Sequence, residues 1–166
     1  MIRVLVDADS CAKRVRSYLL SRAKKNQIEL IFAANHNCLQ DQDARGGKNG
    51  AQDQDARAAS LPANVKMVVC PKESQAADKW ILASALPGDL VITRDIPLAA
   101  ALLQKNIRVI NDFGKVFDKK NVERALKERE LTIQMAALGL ATKRRDSYGQ
   151  KEFEVFAETF NKEMQS

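Results

Sequence analysis

The sequence predicts an α/β fold of three layers, built on a mainly parallel five-stranded sheet with extra C-terminal helices. Three observations carry that prediction. Short apolar runs recur five times without polar alternation, as in strands covered on both faces. Segments with helical spacing follow most of these runs, and strands alternating with helices make βαβ units. After Asn111 the pattern changes to helices only.

The elements follow in order. Residues 2–6 are short, β-branched and ended by acids, which marks a buried strand. In "AKRVRSYLLSRAKK" (12–25), Val15, Leu19 and Leu20 have helical spacing, and basic residues cover the rest. "IELIFAA" (28–34) and "VKMVVC" (65–70) are the second and third strands. "SQAADKWILASAL" (74–86) is a helix with Ser74 as its N-cap candidate, stopped by Pro87-Gly88. "DLVIT" (89–93) is the fourth strand. In "IPLAAALLQKN" (96–106), Pro97 stands where a first helical turn tolerates it, and Asn106 is a C-cap candidate. "IRVI" (107–110) is the fifth strand, and helices are expected at about 119–138 and 150–164. The two last helices either pack on the sheet or form a flap.

A length of 166 residues predicts one domain spanning 1–166, with 119–166 as a helical extension. The stretch 36–63 reads as an inserted mobile loop. It carries "QDQDAR" twice, at 40–45 and 52–57, which looks like a tandem duplication too short for a solenoid. Hydrophobic residues make up 45% and aromatics 5%, so the core must be mostly Ala, Leu, Ile and Val. A net charge of +6 leans toward a polyanionic partner. Three cysteines without CxxC spacing suit free thiols in a reducing compartment. The start of the chain has neither signal nor transit character, and no apolar run nears the roughly 18 residues of a membrane span. The expectation is a cytoplasmic protein with no membrane partner.

The chemistry concentrates where strands end. In "MIRVLVDADSC" an apolar run meets Asp7 and Asp9. Side chains at i and i+2 of extended chain share a side, about 7 Å apart along the strand. Two such carboxylates repel each other, and a divalent cation turns that repulsion into binding energy. Hard oxygen ligands with no His or Cys cluster point to Mg²⁺ or Mn²⁺. The competing reading has Asp9 or Asp7 capping the helix that opens near residue 11. "GDLVITRDIPLAA" repeats the pattern with Asp95, which is also a plain N-cap candidate. Active sites in parallel sheets lie beyond the carboxyl ends of strands. If the first and fourth strands are neighbours, Asp95 comes beside Asp7, and Asp78 in "AADKW" enters from the same edge.

At this point the sequence resembles the YaiI/YqxD family of small bacterial proteins with a PIN-like nuclease fold. The matching stretches are "VDADSC" (6–11), "AN" (34–35), "VVCP…AAD…I" (68–81), "PGDLVITRDIPLAA" (87–100) and "RVIN" (108–111). "NVERAL…RE" (121–130) and "EFEVFAETF" (152–160) extend it more weakly. The resemblance implies a PIN-like site with Asp7, Asp78 and Asp95 as metal-facing acids and Asp9 as the fourth. It departs from the family at four places. Ala12 replaces a Pro, Gln75 replaces an Asp, Lys79 and Trp80 replace further acids, and "ATKRRDSYG" (141–149) replaces a Gly-Gly-Pro stretch.

The expected function is metal-dependent phosphodiester hydrolysis, with single-stranded RNA as the implied substrate and a homodimer left open. Asp9 is a candidate to accept the proton of the attacking water. Ser10, Thr93 and Asn35 are expected to support the site. Between Ser10 and Ile28 stand six basic residues and no acid, so Lys13, Arg14 and Arg16 are candidates for phosphate contacts. Arg94 and the cluster Lys143-Arg144-Arg145 are further candidates; Tyr18, Tyr148 and Trp80 are expected to pack. Two other readings remain open. One is a haloacid-dehalogenase-like phosphatase with Asp7 as nucleophile, although Ser10 and Cys11 suit it poorly. The other is a non-catalytic RNA-binding module with a degenerate site, motivated by Gln75 and Lys79.

Overall fold

The computed structural model describes residues 1–25, 27–39, 61–140 and 147–166. The duplicated "QDQDAR" segments and Lys143-Arg144-Arg145 lie outside the described residues. Strands β1 (Ile2–Asp7), β2 (Ile28–Ala34), β3 (Val65–Val69), β4 (Leu90–Ile92) and β5 (Arg108–Ile110) form one sheet. All paired strands run parallel, in the order β3-β2-β1-β4-β5. Helices α1 (Lys13–Lys24), α2 (Ala76–Ser84), α3 (Ile96–Gln104), α4 (Lys119–Ala137) and α5 (Gln150–Met164) complete it.

Strand alternation divides the apolar residues between two layers. Val4, Val6, Leu30, Phe32 and Ile92 point to one face, where Val15 and Leu19 of α1 meet Phe156 and Phe160 of α5. Leu5, Val91 and Val109 point to the other, against Ile81 of α2, Leu98 and Leu102 of α3, and Val122 of α4. Both faces of β1 and β4 are therefore covered, which explains why these strands read as unbroken apolar runs. With few aromatics available, they are gathered in one place. The Tyr18 ring meets Phe153, Phe156 and Phe160 edge-on, and this contact fixes α5 to α1. Trp80 packs partly buried against the second layer.

The sheet order reverses between β1 and β4, so the loops after these strands diverge to opposite faces and leave a crevice at their carboxyl ends. One buried acid, Asp112, ties this edge together. It follows β5 and is 1% exposed. Arg94, just after β4, donates to its Oδ1 through Nε and to its Oδ2 through Nη2, both at 2.6 Å. The Ala12 N–H, at the start of α1, donates to Oδ2 at 2.7 Å. The Tyr148 hydroxyl, just before α5, donates to the Asp112 carbonyl at 2.7 Å.

Two helix starts differ from expectation. Ser74 does not cap α2. The N-cap is Gln75, held in the left-handed region at φ 65° with no side-chain cap bond. The α1 N-cap position is taken by Ala12, whose side chain cannot accept; Asp112 satisfies its N–H from across the sheet. Asp95 does cap α3, and Asn106, at φ 58°, follows that helix in the left-handed conformation expected of its end. α5 packs on the sheet, whereas α4 does so only at its start: Val122 is buried, and every residue from Lys127 to Leu140 is exposed. Among the described residues no helix is long and apolar enough to cross a membrane.

Two variants test this framework. Asp112→Ala removes a buried charge and strands the Ala12 N–H, and it is expected to cost about 3 kcal/mol in urea unfolding. Gly114 has φ +82°, and a Cβ there would sit 2.7 Å from the Val155 carbonyl oxygen. Gly88 has φ +97° with nothing within 4 Å. Gly88→Ala is therefore expected to cost roughly 1–2 kcal/mol, and Gly114→Ala roughly 1–3 kcal/mol more. Equal costs would show that Val155 does not press on Gly114.

Candidate functional site

Asp7 is the last residue of β1 and is 5% exposed. Its Oδ2 accepts from the Ser10 hydroxyl at 2.6 Å and the Thr93 hydroxyl at 2.9 Å. Burial raises its pKa, the two hydroxyls oppose that, and Asp9 and Asp95 push it up further. The parallel register pairs Val6 with Ile92, so the residues after β4 lie beside Asp7. Thr93 is itself 1% exposed and bridges the acids: it donates to Asp7 and accepts from the Asp95 N–H at 3.0 Å. Ser10 likewise accepts from the Arg94 N–H at 3.2 Å. Both hydroxyls thus position carboxylates.

Asp9 does not cap α1. Its Oδ2 accepts from the Asn35 N–H at 2.9 Å and its Oδ1 lies 3.3 Å from His36 Nδ1, so it holds the chain leaving β2. Asp95 caps α3 by accepting from the Leu98 N–H at 2.8 Å. Asp78 stands in the first turn of α2 with no side-chain hydrogen bond among the described residues. Its pKa is raised to about 6, by burial first and then by repulsion from Asp95, Asp7 and Asp9.

These four aspartates line one cavity of about 440 Å³, together with Ser10, Asn35, Gln75, Arg94, Ile96 and Arg129 among others. The acids come from three chain segments, and the electrostatics couple them as one group. Asn35 Oδ1 is buried and has no hydrogen-bond partner among the described residues, an orphaned acceptor beside the carboxylates. Among the described residues, no three His, Cys, Asp or Glu side chains form a group able to hold a metal ion as they stand. The donor chemistry nevertheless fits a hard cation, because every acidic group and the orphan amide offer oxygen. Mg²⁺ retains several waters and commonly uses only one or two carboxylates, so a tight trio is not required.

The predicted cations fall in different places. Arg94 lines the cavity, but its guanidinium is committed to Asp112 and lies over the Phe113 ring at 4.8 Å. Lys13 and Arg14 are exposed on α1, with Arg14 over Phe153 at 4.4 Å. Arg16 is half-buried and donates to the Ala8 carbonyl at 3.2 Å. None of these three α1 residues lines the cavity. Cys11 is buried, and burial raises its thiol well above the usual range, which suits packing rather than nucleophilic use.

Two participants escaped the sequence reading. Asp112 carries a visible signal, an acid just beyond an apolar strand like Asp7 and Asp95. Arg129 carries none, because its reach into the cavity depends on how α4 lies over α3. Asn35 was expected to support the site, and it lines the cavity.

Comparison with known proteins gives a consistent answer. A UPF0178 protein of Treponema denticola is 35% identical over 156 residues, covering 94% of this chain and 87% of its own length. A UPF0178 protein of Myxococcus xanthus is 31% identical over 165 residues, 98% of this chain and 94% of its own length. One from Pseudomonas putida is 29% identical over 161 residues, 97% and 95% respectively. No solved structure matches significantly. Residues 50–166 match the family described as "Uncharacterized BCR, YaiI/YqxD family". The chain belongs to the YaiI/YqxD family, to which its strand-end motifs had pointed.

Proposed function

We propose that the chain is a divalent-cation-dependent phosphodiesterase of PIN-like type that cleaves single-stranded RNA. The observation that carries this reading is the convergence of Asp7, Asp9, Asp78 and Asp95 on one cavity at the carboxyl ends of β1 and β4. Carboxylates that raise one another's pKa are held together at a cost, and bound positive charge removes it. The residues that would hold the cation are these aspartates, with Asn35 Oδ1 as a neutral oxygen beside them. Bound there, Mg²⁺ or Mn²⁺ supplies an acidified water and charge stabilisation for the phosphate.

The protein's own groups do the rest. Ser10 and Thr93 fix the orientation of Asp7 before any ligand arrives, so its placement needs no rearrangement. The oxygens of Asp9 are engaged by Asn35 and His36, which makes it the weaker proton acceptor. Asp78 has no such partner among the described residues, so a carboxylate oxygen of Asp78 is the one left open to accept the water's proton.

The phosphatase reading asks Asp7 to attack, yet Asp7 is buried and one of its oxygens already accepts two hydrogen bonds. The RNA-binding reading has one observation in its favour: Gln75, not an acid, stands on the cavity wall.

The deciding experiment is cleavage of a labelled single-stranded RNA with Mg²⁺, Mn²⁺ or EDTA. The expected result is cation-dependent cleavage that falls about 10²–10³-fold in Asp7→Asn and Asp95→Asn. Asparagine still caps α3 at position 95, so folding is retained there. In parallel, Mn²⁺ should raise the melting temperature of the wild type and not of Asp7→Asn. Salt-sensitive RNA binding that ignores EDTA and Asp7→Asn, without cleavage, would establish the binding-module reading instead.

Asp78 gives a pH test in cation-free buffer. Its folded pKa, about 6, exceeds the ordinary 3.8, so the folded state binds the proton more tightly. Its contribution to stability is therefore complete below about pH 4 and lost as pH rises through 6. Asp78→Asn should melt higher than wild type at pH 7.5, and the gain should disappear near pH 4. A gain independent of pH would contradict the raised pKa.

A further inference from the structure

The aspartate cavity does not end at the aspartates. On one side it shares Arg129 with a second cavity along α4, of about 470 Å³, which Leu126, Lys127 and Ile133 also line. It also shares Gln75, Asp78 and Asp95 with a third cavity between α2 and α3, lined by Lys79, Leu82 and Pro97. The cavity that gathers all four carboxylates thus adjoins both of the others through shared wall residues and lies between them. Each adjoining cavity contributes a cation on an exposed residue, Arg129 in one and Lys79 in the other. Neither side chain has a hydrogen-bond or ion-pair partner among the described residues. Arg94, the other cation of the central cavity, is held by Asp112.

We propose that Arg129 and Lys79 bind backbone phosphates flanking the scissile one, so that the substrate is an extended single strand lying through all three cavities. The inference rests on the phosphodiesterase reading and adds the form of the substrate to it. A mononucleotide or a small diester fills the central cavity alone, where Arg129 borders it, and does not reach Lys79. A strand fills all three cavities, placing one phosphate at the acids and others at the cations, while apolar patches at Leu126, Ile133 and Leu82 remain for sugar and base. Arginine suits the role because its planar fork grips a phosphate with two donors. The arrangement makes α4 and α2, rather than the basic face of α1, the track for the strand. It also makes cleavage internal, because the strand continues on both sides of the acids.

The test compares two substrates and one binding measurement. Arg129→Ala and Lys79→Ala should each raise KM for an end-blocked single-stranded oligoribonucleotide by about tenfold, with kcat little changed. Lys79→Ala, outside the lining of the aspartate cavity, should leave hydrolysis of bis(p-nitrophenyl) phosphate by the Mn²⁺-loaded protein as in wild type. Fluorescence anisotropy should show weaker oligonucleotide binding, and the slope of log K against log salt should fall by about 0.7 per lost contact. Arg129→Lys should recover part of the affinity. Unchanged oligonucleotide KM and binding in both variants would overturn the inference. So would a loss in Lys79→Ala that is equal on both substrates, which would place Lys79 in the folding or chemistry of the centre. If the wild type hydrolyses neither substrate, the phosphodiesterase reading fails, and the anisotropy result alone decides whether these cations hold a strand.

Discussion

The geometry of the candidate site depends on one ion pair, between the buried Asp112 and the exposed Arg94. The site is built from the chain immediately after β1 and β4, and such loops have no sheet hydrogen bonds of their own to hold them. Asp112 supplies the missing restraint from the end of β5. It grips Arg94 after β4 and the Ala12 N–H after β1, and its own carbonyl receives Tyr148. Three strand ends and the start of α5 are thereby fixed to one residue, the strand ends through its carboxylate and α5 through its carbonyl. An ion pair in this position is poor value as a source of stability, since desolvating both charges offsets much of their attraction. Its effect is positional. It sets the spacing of Ser10 and Asp95, and Ser10 in turn orients Asp7.

The acids of this protein fall into two kinds, distinguished by partners rather than by burial. Asp89, at the opposite end of the sheet, receives Arg3 on both oxygens and the Leu86 N–H besides. Asp112 receives three donors. Each has its charge answered by the protein, and each secures a turn. Asp78 has no donor, and its strongest electrostatic neighbours are other carboxylates. A fold selected only for stability has no reason to leave such a group facing three others of the same sign. Among the four acids of the cavity, Asp78 is thus the one whose charge no described donor answers.

Much of this was legible from the sequence, for a simple reason. Strands covered on both faces must be apolar at every position, so β1, β2 and β4 announce themselves, and polar residues at their ends stand out. Asp7, Asp9 and Asp95 were found that way and Asp78 as a helix acid at the same edge, and the structure brings all four to one cavity. What failed depends on contacts between distant segments. Ser74 has the chemistry of a cap, but the chain turns through a left-handed Gln75 and the cap is not made. Arg94 has the chemistry of a phosphate ligand, but Asp112, a helix and a strand further along the chain, holds its guanidinium. The charge run on α1 is real, yet helix orientation points Val15 and Leu19 inward and carries Lys13 and Arg14 away from the acids. Sequence shows which groups are present; only packing shows which are already spoken for.

The same distinction bears on how a polyanion can approach this site at all. Four carboxylates in one cavity repel a phosphodiester, and the repulsion is strongest where the chemistry must occur. A bound cation answers that charge at the centre, but it does nothing to draw in the rest of a strand. The protein's excess of positive charge helps at long range, although salt screens it beyond about 8–10 Å. Close attraction therefore has to come from cations that border the acids without being neutralised by them. Arg94 is excluded by Asp112. Arg129 and Lys79 meet the condition, since each lines a cavity that adjoins the acids and has no carboxylate partner among the described residues. Their separation from the acids is as necessary as their closeness: a cation paired with Asp78 would cancel the site, and one much farther off would be screened.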